Sequence, residues 1–367
     1  MHVSLLIGSL SGGGAQGVAV SLANALAVRG HNVELVVLSL NNECRQKDLA
    51  TRVEVKELGV ERARHAWSPL CEHFKGREID AVIAFMPELW MLMEVVRWRI
   101  RSRFLLVMRS INTLSEVAQH TPSAVRRWLV DPGLRLMLKR ADHVIAQSQK
   151  MAEDLAVGYG LSAEQMTVIH NPVSPRFLLR THTPPPSPCP TPYYLFAGRL
   201  EPQKGLERML EAFARYRQRG GDALLVMVGD GRDRTQLEER AHTLGLTAWV
   251  RFEGFQSDPL PWYYHARATL LTSYYEGLPN VLIESIATGT PVISFDGASG
   301  PSEIVREGVN GFLVSEGNCD AFAAAMLRLE AQPFSSVSVR ATGKLYAPEK
   351  IVLDYESVLH LFHTRKI

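Results

Sequence analysis

Val3-Ser4-Leu5-Leu6-Ile7 is a short apolar run, and Val33-Glu34-Leu35-Val36-Val37-Leu38 is a second one. Between them Val18, Val20, Leu22, Ala23, Leu26 and Ala27 recur with helical spacing until Gly30 stops them. A buried strand, an amphipathic helix and another buried strand in this order define a parallel βαβ unit. Further runs at 81–85, 104–108 and 143–146 extend the pattern. The spacing therefore predicts an α/β fold, a parallel sheet with helices on both faces. No basic segment precedes the first run, so it reads as a strand and not as a signal peptide.

The stretch 181–192 places six prolines within nine residues, which excludes a central strand or a helix interior and predicts a stiff, extended connector. Beyond it the alternation starts afresh. Strands are predicted at 193–197, 223–228, 250–252, 268–271, 292–294 and 311–314, with helices at 205–219, 234–244, 280–288 and 319–330. The expected organisation is thus one domain over 1–180, a linker over 181–192 and a second domain over 193–345. Ligands of open parallel sheets collect at the carboxyl ends of the strands. Two such sheets facing one another would hold a ligand in the cleft between them.

Bulk properties narrow the function. The chain has 367 residues, 46% of them hydrophobic, with a formal net charge of +2 that gives no sign of nucleic-acid binding. Cys44, Cys71, Cys189 and Cys319 lie far apart, with no Cys-x-x-Cys, so neither a disulfide framework nor a zinc site is indicated and a reducing cytoplasm is expected. No apolar stretch reaches the ~20 residues that span a bilayer, so any membrane contact is expected at the surface.

Glu276-Gly277-Leu278-Pro279-Asn280-Val281-Leu282-Ile283-Glu284 is the most informative segment for function. Pro279 suits a helix start, and Gly289 ends the helix. The free amides and positive dipole end of a helix start bind anions, while carboxylates beside it suit the hydroxyls of a sugar or ribose. The alternative is a solvated acid before a helix and another acid on its face.

Ser11-Gly12-Gly13-Gly14-Ala15-Gln16-Gly17 follows the first strand, and its glycines let the backbone approach an anion. Gly12, Gly14 and Gly17 also fit the dinucleotide fingerprint of an NAD-dependent dehydrogenase. However, Ser9, Leu10 and Ser11 lengthen the turn, and Ser39 and Leu40 stand where a ribose-binding acid is required. In the second half, the strand ending at Ala197 is followed by Gly198, Arg199 and Lys204, a guanidinium and an ammonium that could clamp a diphosphate or be ordinary surface cations. Val228-Gly229-Asp230-Gly231 is a third strand-to-helix turn. No Asp-x-Asp occurs, and no catalytic metal ion or cofactor is expected.

Together these segments resemble the retaining, nucleotide-sugar-dependent glycosyltransferases of family 4 (group 1), of the bacterial polysaccharide type, with the GT-B fold of two Rossmann-like domains facing across a cleft. The likeness extends over Ala141-Asp142-His143-Val144-Ile145-Ala146-Gln147-Ser148, Ile169-His170-Asn171-Pro172-Val173 and Phe252-Glu253-Gly254-Phe255. It implies that Arg199 and Lys204 neutralise the donor diphosphate and that Glu276 lies beside the donor sugar. Gly277, Leu278 and Asn280 would meet phosphate and sugar, with Gly198 in the same turn. Glu284 would accept the ribose hydroxyls, Phe255 would neighbour the base, and Gly13 and Gly14 would approach the diphosphate from the first domain. The terminal segment 346–367 would cross back onto that domain.

The same resemblance implies same-face attack by the acceptor, with the donor phosphate accepting its proton and no protein base required. UDP-sugars are the favoured donors, and a saccharide or lipid-linked saccharide is the acceptor. The family's histidine after the fourth strand is missing from Val107-Met108-Arg109-Ser110-Ile111-Asn112, where Arg109 or Asn112 would stand in for it. A catalytically silent relative that binds a nucleotide-sugar or scaffolds a polysaccharide assembly complex, and a phosphorylase of the same fold, are the competing readings.

Two readings stand for Arg97-Trp98-Arg99-Ile100-Arg101-Ser102-Arg103, a theme repeated at Arg126-Arg127-Trp128. One is a helix C-terminus, with cations on the dipole and Trp98 packed on the sheet. The other is a peripheral contact with an anionic membrane at the inner face of the cytoplasmic membrane.

Overall fold

The computed structural model describes residues 1–11, 13–40, 45–116, 133–179, 184–297 and 300–363. Gly12, Cys44 and Arg126-Arg127-Trp128 lie outside the described residues. The chain divides into two units, one formed by Met1–Pro172 with Pro348–Ile367, the other by Val173–Ala347.

The first unit holds seven parallel strands: β1 (His2–Ser9), β2 (Asn32–Ser39), β3 (Glu54–Glu57), β4 (Ala81–Ala84), β5 (Leu105–Arg109), β6 (His143–Ala146) and β7 (Met166–Val168). Their order is β3-β2-β1-β4-β5-β6-β7. Alternate residues of β1 feed two cores. Val3, Leu5 and Ile7 pack with helix Gly14–Val28, whereas Leu6 packs with Leu70, Phe74, Leu89 and Trp90 of helices Trp67–Phe74 and Pro87–Ile100. Helix Pro348–His363 completes the first of these cores with Ile351, Val352, Tyr355, Val358 and Leu359. Its Glu356 receives Arg29 Nη2 and His31 Nε2, each at 2.9 Å.

Strands β3 and β7 carry no long apolar run. Each pairs on one side only, so only partial burial is demanded of them and their sequences stay polar or short.

The second unit holds six parallel strands: β8 (Tyr193–Ala197), β9 (Leu224–Val228), β10 (Val250–Gly254), β11 (Thr269–Leu271), β12 (Val292–Asp296) and β13 (Gly311–Ser315). Their order is β10-β9-β8-β11-β12-β13. Tyr194 and Phe196 face helices Leu206–Gln218 and Cys319–Ala331, while Tyr193, Leu195 and Ala197 face helix Asn280–Thr288.

Two expectations shift. The boundary between units falls at Pro172/Val173, ahead of the proline-rich stretch. Val173, Phe177 and Cys189 are buried with Tyr193 and Trp262, and Pro185 O lies 2.6 Å from His265 Nε2, so apolar burial ties this stretch to the second unit. Trp98 does not pack on the sheet: it is 79% exposed.

Glu34 of β2 is 2% exposed yet charged. Burial alone would push its carboxyl up. Hydrogen bonds from His73, Ser4 and Arg77, with the charge of His73, override this and hold it at about 2. A folded value below the ordinary ~4.3 means the contribution is present above about pH 4.3 and is lost as pH falls toward 2. The expected outcome is that Glu34→Gln lowers stability near neutral pH by on the order of 3 kcal/mol and flattens the acid limb of the stability–pH curve. Urea denaturation of both forms across that window would show it, and parallel curves would refute the account.

Candidate active site

In the second sheet the chain moves from β8 to β9 on one side and reaches β11 on the other. The loops leaving β8 and β11 at their carboxyl ends therefore diverge and leave room between them, the usual ligand position in an open parallel sheet. Residues 198–205 and 272–280 are these two loops.

They are bound to one another. Tyr274 N donates to Gln203 O and Gln203 Nε2 to Tyr275 O, both at 2.9 Å. Thr272 Oγ1 donates to Lys204 O and Gly205 O, both at 3.1 Å. This lacing brings Lys204 Nζ to 2.6 Å from Glu276 Oε1, with both side chains less than one-fifth exposed. Ser273 Oγ donates to the same oxygen at 2.6 Å. A pair so enclosed leaves an uncompensated charge if either partner is removed.

Gly277 and Leu278 are buried directly after Glu276, and helix Asn280–Thr288 starts after Pro279 with no side-chain cap and no acid in its first turn. The positive dipole end of this helix thus follows Glu276 within four residues. Gly300, with φ +88, fits against this turn: a Cβ there would lie 2.6 Å from Gly277 O. Glu284, half-buried one turn into the helix, accepts from Tyr263 Oη at 2.8 Å.

Arg199 is placed differently. Its Nη1 lies 3.0 Å from Glu201 Oε1 and its side chain is 64% exposed, a contact worth at most ~1 kcal/mol. Phe255 is 55% exposed beyond β10, two strands from β8. Gly198 leads out of β8, where its amide donates to Val228 O at 2.9 Å.

In the first unit Gly13 precedes helix Gly14–Val28, which likewise has no side-chain cap and no acid in its first turn. Arg109 ends β5 and is fully buried. Its Nε donates to Tyr355 Oη at 2.7 Å, its Nη2 donates to Asn171, and its guanidinium lies over Phe85. Asn112 is half-buried in the loop beyond, its carbonyl accepting from Ser110 Oγ at 3.0 Å.

The sequence reading did not single out Ser273 or Tyr263. Ser273 stands three residues before Glu276, a local spacing that could have suggested it. Tyr263 comes from another helix, and no sequence pattern links it to Glu284.

The family model for group 1 glycosyl transferases matches residues 182–345, and that for the glycosyl transferase 4-like domain matches residues 13–172. The chain belongs to the group 1, family 4-like glycosyltransferases. A lipopolysaccharide 1,6-galactosyltransferase of Salmonella typhimurium is 32% identical over 52% of each chain, so the match spans about half that relative's length. The lipopolysaccharide core biosynthesis glycosyltransferase LpsE of Rhizobium meliloti is 27% identical over 87% of this chain and 86% of its own. The structure of Anabaena HepE in complex with UDP-glucose superposes with a TM-score of 0.78 at 20% identity, covering 98% of this chain and 99% of that one. The fold is GT-B.

A close approach holds the β8 loop in place. Gly229 has φ +132, and a Cβ on it would lie 1.9 Å from Gly198 O. Gly229→Ala should therefore cost at least about 3 kcal/mol by displacing the 198–205 loop. A thermal melt indistinguishable from wild type would contradict this.

Proposed function

We propose that this protein is a retaining glycosyltransferase that needs no metal ion or cofactor. It moves a hexose or N-acetylhexosamine from a UDP-sugar to a saccharide or lipid-linked saccharide in lipopolysaccharide or exopolysaccharide synthesis. The observation that carries the reading is the enclosed Lys204–Glu276 pair beside an uncapped helix start at the switch in strand order. The lipopolysaccharide relatives support the acceptor class, and the UDP-glucose complex of HepE supports the donor class.

In this reaction the bond from the anomeric carbon to the diphosphate breaks while the acceptor oxygen bonds the same carbon from the same face. The acceptor's proton passes to a phosphate oxygen of the departing diphosphate. The leaving group gains negative charge as the sugar becomes oxocarbenium-like, so fixed positive charge lowers the barrier. Lys204 would supply a point charge, and the amides of Gly277, Leu278 and Asn280 would supply oriented donors. Arg199, exposed without donor, would turn in from Glu201 to add its fork of donors.

Glu276 holds the Lys204 ammonium in the free protein. The diphosphate would share that ammonium, leaving the carboxylate, still steadied by Ser273, to receive sugar hydroxyls. Glu284, with one oxygen fixed by Tyr263, would receive the ribose hydroxyls. Asn112 and Arg109 remain the first-unit candidates for the sugar, with Arg109 already engaged by Tyr355 and Asn171. A lipid-linked acceptor would place the enzyme at the inner face of the cytoplasmic membrane.

Thermal-shift screening against UDP, GDP, ADP and their sugars tests the donor. A ligand at 100 times its Kd adds about 2.7 kcal/mol of stability. UDP is expected to give the largest shift, and Lys204→Ala to raise its Kd at least ~10-fold, about 1.4 kcal/mol. An unchanged shift would remove Lys204 from the diphosphate site. UDP release from a UDP-sugar in the presence of saccharide acceptor tests transfer itself; a shift with no release under any acceptor would favour a silent binding relative.

A further inference from the structure

Helix Pro87–Ile100 buries Leu89, Trp90, Met93 and Val96 in the first unit. Its last turn is fixed in orientation because Arg97 is anchored inward, by Glu94 at 2.8 Å, by Asp142 and by Phe104 O at 3.2 Å. The anchored turn directs Val95 and Trp98 outward, 45% and 79% exposed. Single exposed apolar residues are ordinary. Here the chain's bulkiest side-chain type follows Val95 on the same face, and exposed arginines stand beside it.

Arg99 and Arg101 make no ion pair among the described residues, and the sequence from 95 to 104 contains no Asp or Glu. Arg101 caps the helix with φ +55, ψ +35, and among the described residues it is the only non-glycine with positive φ. Glycine occupies this left-handed cap at the ends of helices Gln149–Tyr159 and Asn280–Thr288. A cation is therefore retained at a position that glycine would fill with less backbone strain.

We infer that this helix end is a docking face for an anionic lipid bilayer. Trp98 inserts at the headgroup level, and Arg99 and Arg101 meet the lipid charge. An indole has an apolar body and a polar edge, which suits the interface, and arginines attract anionic headgroups over a Debye length. Charge complementarity chooses this occupant: two unpaired cations flanking an exposed tryptophan, in a chain whose net charge is only +2. Arg103 adds less, because it lines one surface hollow with Glu78 and Asp80 as well as His2 and Arg77. The face offers a charged plane and no headgroup pocket, so phosphatidylglycerol and phosphatidylserine should serve equally. The inference does not depend on the glycosyl-transfer reading, and its test measures binding, not turnover.

Flotation of the full chain with vesicles of neutral phosphatidylcholine, alone or mixed with phosphatidylglycerol or phosphatidylserine, tests it. Wild type is expected to float with both anionic mixtures at low salt, much less at high salt, and not with the neutral vesicles. Trp98→Ala should lower the partition coefficient at least ~10-fold with an unchanged melting temperature. Arg101→Gly should lower it about fivefold while keeping or raising the melting temperature, a combination that a merely structural arginine would not produce. Absence of wild-type flotation, equal flotation with neutral vesicles, or Trp98→Ala binding like wild type would each overturn the inference. So would a protein partner captured through Trp98 without any vesicle binding.

Discussion

The reversal of strand order beside β8 governs the functional half of this molecule. The chain passes from β8 to β9 in one direction and places β11 on the other flank. Two loops must then leave the sheet side by side without covering each other. Lys204 lies on one and Glu276 on the other, 72 positions apart in sequence, and nothing but this topology makes them neighbours. Once they meet, the bonds through Thr272, Gln203 and Tyr274 join the two loops into one assembly. The close packing of Gly229 on Gly198 and of Gly300 on Gly277 stiffens it from both sides.

Charge is distributed on these loops in a way that suits an anionic ligand. The ammonium of Lys204 is held by a carboxylate that can be turned to another task. The helix beyond it begins after Pro279, which offers no capping side chain, and carries no acid in its first turn. Arg199, by contrast, rests in solvent against Glu201. Of the two cations on the loop after β8, one is enclosed with Glu276 and the other lies in solvent.

The sequence made the central strands and the helices behind them legible, because parallel strands buried on both faces need uninterrupted apolar residues, as in 35–37 and 225–228. It did not disclose β3, whose Glu54 and Lys56 suit a sheet edge, nor β7, three residues long. The prolines at 184–192 suggested a stiff, extended connector between domains, since composition reports backbone stiffness and not what the stretch packs against. Cys189, buried beside Tyr193, decides that matter. Glycines and ionisable residues after β8 and β11 singled out Lys204 and Glu276 as candidates, because chemistry at those positions is local. Ser273 and Tyr263, which steady the two carboxylates, are ordinary residues whose meaning comes from distance alone. For Trp98 the sequence left two places open, on the sheet or at the surface, and the inward anchoring of Arg97 accompanies the second.

The first unit is closed by a helix that the chain supplies only after the whole of the second unit. Tyr355 reaches Arg109 across 246 residues, and Ile351, Val358 and Leu359 fill a core begun by Val3 and Leu5. During synthesis the earliest strands must therefore wait, with part of their apolar face uncovered, while the later half of the protein emerges and has every segment it needs to fold. The half made first is the half finished last.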